Sequence, residues 1–310
     1  MRRKGVRGAG TPLHRRIPQA SLRPDGEQAL AYGIDSIAVG AALLSAFLHA
    51  AWNAAVKTSS DPQSAMAAQV VGSGLISLPL LMLVPLPSST SLPWLCGAAS
   101  LNLVVLIALL RGYAHGGGFG FVYPLARATS PLLVLLLASL LQGEAVGVAG
   151  IAGIALVSFG IALFALSEGR RQPKALAYAL LAGAASAAYA VCDANGARHS
   201  SSVLGYGLTA SIVNACVFGT LHIVRHPVPL RQAVRSHLGV ATLGTSAALL
   251  SYVLILWVYT RAPIAIGAAL RDTSVVFAAL IAAGLGEGLS PRRAGAIALA
   301  AAGACLIRFA

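Results

Sequence analysis

Ten runs of predominantly apolar residues follow one another along the chain, at roughly 36–56, 64–85, 93–113, 119–142, 146–167, 175–196, 202–224, 238–260, 262–285 and 293–309. An apolar run of about 20 residues crosses hydrocarbon as a helix. The breaks between the runs carry turn chemistry: "SSDP", "PLPSSTSLP", "GGG", "SEGRRQPK", "RHPVPLRQAVRSH" and "LSPRR". The pattern predicts an all-α integral membrane protein with ten transmembrane helices. Residues 1–33 lack apolar periodicity and any continuous apolar core, and are expected to be a disordered basic tail or the product of an upstream start codon.

The runs repeat. "RATSPLLVLLLASLLQGE" (Arg127–Glu144) answers to "RDTSVVFAALIAAGLGE" (Arg271–Glu287), at offsets of 144 and 143, and Gly160 and Gly303 keep the offset of 143. Lys57 and Arg198 correspond at an offset of 141. A duplicated unit of five spans is expected, with repeats over 34–168 and 169–310. Five crossings end on the opposite face, so the second copy enters inverted. That is an architecture from which alternating-access carriers are built, with the site near the midplane.

Polar residues interrupt the apolar pattern at helical spacing. His49, Asn53 and Lys57 form one stripe on the first span, with Trp52 beside it; Tyr123 and Arg127 share a face of the fourth, Tyr189 and Asp193 of the sixth, and Arg271 and Ser274 of the ninth. An ionisable side chain at mid-bilayer costs at least about 2.5 kcal/mol, so it is retained where water, a partner or a ligand receives it. These residues are expected to face one wet cavity shared by both halves. Asp272 points about 100° away from its neighbour Arg271 and should seek a partner on another helix, Arg127 or Lys57. Lys57 and Arg198 end their spans, which favours snorkelling to the interface. Glu144 and Glu287 also fall at span ends, which favours capping or a salt bridge to Arg292 or Arg293. His49 and Asp193 are embedded and are the protonation candidates. Pro124 and Pro131 should kink the fourth span beside the cavity.

Composition agrees with lipid as solvent. The chain is 57% hydrophobic and 10% charged, against about 25% charged in soluble proteins. The net charge of +13 invites a nucleic-acid reading, but the excess lies in the first 23 residues and in short loops, as membrane proteins carry it. No nucleic-acid partner is expected. Cys96, Cys192, Cys216 and Cys305 each stand alone in an apolar stretch and are expected to be small buried hydrophobes. "HGGGFG" (His115–Gly120) follows no strand and is expected to link two spans, not to cradle a phosphate. No metal and no cofactor are expected.

Taken together, "LHAAWNAAVK", "VYPLARATSPLL" with "QGE", "AYAVCDANGAR", and "APIAIGAALRDTSVVFAAL" with "GLGE" resemble the EamA-type branch of the drug/metabolite transporter superfamily. The likeness runs from about residue 35 to the C-terminus. It implies a ten-helix, two-repeat carrier of small metabolites, often an exporter, in the bacterial plasma membrane with both ends cytoplasmic. The family's motif residues fall on His49, Trp52, Asn53, Lys57, Tyr123, Pro124, Arg127, Pro131, Glu144, Tyr189, Asp193, Arg198, Arg271, Ser274 and Glu287. The first-span acidic residue that couples protons in the small four-helix multidrug relatives has no counterpart here, which argues against drug/proton antiport. The charge rule and the resemblance disagree on orientation: Arg170, Arg171, Lys174, Arg225, Arg231, Arg235, Arg292 and Arg293 gather on the face opposite the termini.

The function expected is a secondary transporter moving a small organic solute, with proton or other ion coupling open and the oligomeric state unspecified. Arginines along the cavity suggest a carboxylate or phosphate on the solute; Trp52, Tyr123 and Tyr189 suggest an apolar or aromatic moiety. The competing classes are a non-transporting membrane scaffold or sensor and an intramembrane enzyme, for which the embedded residues show no nucleophile–base spacing.

Overall fold

Where helices begin, the sequence supplies their caps. The structure, a computed structural model, describes residues 35–168, 172–225, 227–286, 288 and 290–310; the expected tail and Glu287 lie outside them. Asp35 caps α1 (Ser36–Lys57), its carboxylate accepting the Ile37 amide at 3.0 Å. Asp61 caps α2 (Pro62–Leu81), with Pro62 in the first turn where no amide is missed. The chain continues through α3 (Leu92–Ala114), α4 (Phe119–Gln142), α5 (Val148–Glu168), α6 (Pro173–Arg198) and α7 (Val203–Arg225). A short α8 (Leu230–Ser236) and a π-helical stretch, Val240–Gly244, lead into α9 (Thr245–Tyr259). Then come α10 (Ile264–Asp272), α11 (Ser274–Gly284) and α12 (Pro291–Ile307), the last capped by Ser290.

Among the described residues nine spans are long and apolar enough to cross a membrane: α1 to α7, the π-helical stretch with α9, and α10 with α11. The tenth expected run forms α12, whose 17 residues rise about 25 Å, short of a hydrocarbon core of about 30 Å. Two spans depart from regular helices. The eighth carries the π turn, and the ninth breaks at Thr273, whose hydroxyl bonds the Leu270 carbonyl at 2.6 Å. The fourth is continuous through Pro124 and Pro131. Those prolines withhold the amides that would bond the Gly120 and Arg127 carbonyls.

Small residues bring the helices together. A Cβ on Gly160 would lie 2.6 Å from the Ala300 amide nitrogen, and one on Gly303 would lie 2.6 Å from that of Val157, so α5 and α12 meet backbone to backbone. The other extensive pairs are α3 with α6, α2 with α7, α4 with both α5 and α6, and α9 with α1. Between α1 and α9, Ser45 and Ser251 each donate a hydroxyl to the other's carbonyl at 2.7 Å. Leucines such as Leu136, Leu140 and Leu141 point outward, as lipid contact requires. The cysteines depart from expectation: Cys96, Cys216 and Cys305 are exposed and Cys192 is half-buried. A thiol is apolar enough to face lipid, so an apolar context did not specify burial.

Candidate functional site

Four helix faces place charge in the interior. On α4, Arg127 sits one turn beyond Tyr123, and its guanidinium lies 5.1 Å from that ring's centre. Arg127 donates from Nη1 to Oδ1 of Asp272 on α10 at 2.9 Å, and its Nη2 lies 3.2 Å from Nε2 of His49 on α1. A guanidinium only donates, so Nε2 accepts and the imidazole proton sits on Nδ1. The Tyr123 hydroxyl, 3.1 Å from the same Nε2, then donates as well. The Trp52 ring stands edge-on to His49 with centroids 5.2 Å apart. Asn53 turns its amide back to the His49 carbonyl at 2.7 Å.

These groups border a cavity of about 290 Å³. His49, Trp52, Asn53, Tyr123, Arg127, Tyr189, Arg271 and Asp272 all line it, from α1, α4, α6 and α10. Asp272 is 2% exposed. The Nε of Arg271 is buried and has no hydrogen-bond partner among the described residues. Arg271 brings a second cation to the cavity, beside Tyr259 and within the field of Asp272.

Three of the expected residues stand elsewhere. Asp193 is 1% exposed and lies behind the wall, where Oδ1 accepts the hydroxyls of Tyr252 at 2.9 Å and Tyr206 at 3.2 Å. Lys57 and Ser274 line a second chamber of about 310 Å³ among α1, α4 and α11, which shares His49, Asn53 and Tyr123 with the first.

At the helix ends Glu144 takes the capping role expected of it, accepting the Ile264 amide at the start of α10 at 2.8 Å. Its ion pair is with Arg198 and not with Arg292 or Arg293. Arg198 also reaches three further acceptors, because the α9–α10 turn presents carbonyls at the end of α6. Pro124 and Pro131 are buried within α4.

Sequence reasoning passed over several polar residues of the cavity wall. Asn102 on α3 donates to Asn214 on α7 at 3.1 Å, and Gln69, Ser73, Tyr252 and Tyr259 also line the space. An amide inside an apolar run was the signal available for Gln69, Asn102 and Asn214. Tyr252 and Tyr259 carried none that distinguishes a cavity tyrosine from an interfacial one.

A charged chamber inside an apolar helical bundle suits solute passage, and comparison with known proteins shows which family the chain resembles. Residues 173–309 match the EamA-like transporter family. Over those residues the chain is similar to EamA-like transporters. EamA belongs to the drug/metabolite transporter superfamily. A solved structure described as "Crystal structure of protein" is 19% identical, with a TM-score of 0.66, over 87% of this chain and 96% of that one. That likeness speaks for the fold alone. No curated protein matches the chain. The EamA-like region contributes α6, α7, α9 and α10 to the cavity, and with them Tyr189, Arg271 and Asp272.

Proposed function

We propose that the protein is a secondary transporter that moves a small organic metabolite across the bacterial plasma membrane, outward, by alternating access through the central cavity. In this reading residues 34–168 and 169–310 are inverted five-helix repeats, α12 completes ten spans, and both termini lie on one side, the cytoplasmic one. The observation that carries it is the convergence of charged and polar side chains from both halves on one cavity of about 290 Å³. A membrane protein holds such groups at depth where they serve a solute or ion path.

Helix pairing supports the repeat. If the halves are exchanged, α5–α12 and α2–α7 map onto themselves, while α3–α6 maps onto the pairing of the eighth span with α1. Two arginines face the cavity against one directly paired carboxylate, which favours an anionic solute. Trp52, Tyr123, Tyr189 and Tyr252 offer faces for an apolar or aromatic part.

The test is reconstitution into liposomes loaded with mixed small metabolites. Net flux of an anionic solute, lost in Arg271→Gln, supports the carrier. Chemical conversion of a metabolite would make it an enzyme, and neither flux nor conversion would leave a scaffold or sensor.

A further inference from the structure

Arg198, the last residue of α6, is bonded well beyond its own helix. Besides the ion pair with Glu144, its guanidinium donates to Gln142 Oε1 at 3.1 Å, to the Tyr259 carbonyl at 2.8 Å and to the Ala262 carbonyl at 3.2 Å. Glu144 in turn accepts the Ile264 amide at 2.8 Å. One side chain thereby ties the ends of α4 and α6 to the turn between α9 and α10. The Arg198 and Glu144 side chains are 28% and 14% exposed, so the pair is partly shielded from water and tied in by several bonds at once.

Lys57 ends α1 as Arg198 ends α6, and the duplication relates them. Five crossings separate the two positions, which sets them on opposite faces. Lys57 lines the second chamber together with Gly120, Pro124 and Leu285. Leu285 is the repeat counterpart of Gln142, and Gly120, in the first turn of α4, is that of Ile264, which opens α10. The turn before α4, His115–Gly118, stands where the turn 260–263 stands before α10. Pro124 leaves the Gly120 carbonyl without its helical donor. The chamber of about 310 Å³ thus has counterparts of elements of the Arg198 knot along its walls, with open space between them.

We propose that Arg198 and Lys57 are alternate locks of one rocking cycle. Arg198 seals its own face in the present structure. When that seal breaks, Lys57 exchanges its present contacts for the turn 115–118 and the start of α4, fills the α1–α4–α11 chamber and seals the opposite face. The glycine-rich turn then has a use: it brings bare backbone carbonyls to an ammonium. The proposal rests on the carrier reading, since only a cavity that opens to each face in turn needs two locks.

The experiment reads access to the cavity and needs no known solute. Ala190 lines the central cavity and is replaced by cysteine in a chain whose Cys96, Cys192, Cys216 and Cys305 are serine. Sealed vesicles of each orientation are treated with a charged, membrane-impermeant methanethiosulfonate reagent. The parent should label from the Lys57 face. Arg198→Ala should raise labelling from the Arg198 face by on the order of tenfold and lower it from the Lys57 face. Adding Lys57→Ala should restore labelling from the Lys57 face while keeping the other. Arg198→Lys, which retains the charge but not the fork of donors, should fall between and serves as the test if Arg198→Ala does not fold. Labelling of the Arg198 variants that matches the parent would overturn the Arg198 lock. A double variant indistinguishable from Arg198→Ala would overturn the Lys57 lock. A parent that labels from neither face would overturn the carrier reading itself.

Discussion

Arg127 and Asp272 stand 145 residues apart in the chain and 2.9 Å apart in space, Nη1 against Oδ1. The pair joins α4 to α10 inside the cavity, with side chains 20% and 3% exposed. Removing one partner leaves the other charge uncompensated at depth, which typically costs about 3–5 kcal/mol for a buried pair. Arg127→Gln and Asp272→Asn should each lower the thermal unfolding midpoint in detergent. The double variant should lose less than the sum of the two, and strictly additive losses would show that the pair is not coupled.

Arg271 should govern affinity for anions. Arg271 lines the central cavity and has no ion pair among the described residues, so a solute carboxylate or phosphate is the group it would meet there. A hydrogen bond to a charged group contributes roughly 1.5–3 kcal/mol, which is about ten- to a hundredfold in affinity. Arg271→Gln should therefore shrink the thermal stabilisation given by carboxylated or phosphorylated solutes by that factor, measured as apparent dissociation constants. Equal losses for neutral and anionic solutes would point to a general collapse of the cavity instead.

What the sequence made legible follows from the period of the helix. Stripes at three- and four-residue spacing put His49 with Asn53 and Tyr123 with Arg127 on common faces, and the cost of burying Asp272 pointed to a cation on another helix. Spacing within one helix says nothing about its rotation against the others. Asp193 shares a face with Tyr189 but is turned behind the cavity wall by tyrosines 13 and 59 positions away. The role of Arg198 was illegible for the same reason, because three of its bonds go to residues of other helices and turns at separations of 56 to 64. The break in the ninth span at Thr273 has no proline or glycine to announce it. It follows directly on Asp272, which Arg127 of α4 holds at 2.9 Å.

Proton coupling should pass through His49. Its Nε2 accepts from both Tyr123 and Arg127, and a proton at that atom would displace both donors and set a second cation against the guanidinium. In sealed vesicles an imposed pH gradient should change the flux of the native chain and leave His49→Gln unaffected. Identical native rates with and without the gradient would remove the proton from the cycle.

The α5–α12 contact should be intolerant of side-chain volume. Gly160 and Gly303 are repeat counterparts that the fold sets in one interface, each against the partner helix's backbone. A side chain at either position meets backbone nitrogen or oxygen at under 3 Å, and no rotamer of the partner can relieve it. The helices would have to separate, giving up the close packing that holds them in lipid, where no hydrophobic force between helices compensates. Overpacking in well-packed interiors costs typically about 1–3 kcal/mol, and backbone contact puts these sites at the upper end. Gly160→Leu and Gly303→Leu should each lower the thermal midpoint far more than Gly147→Leu, where a Cβ meets nothing within 4 Å. Similar small losses at all three positions would mean that α12 does not depend on this contact for its place against α5.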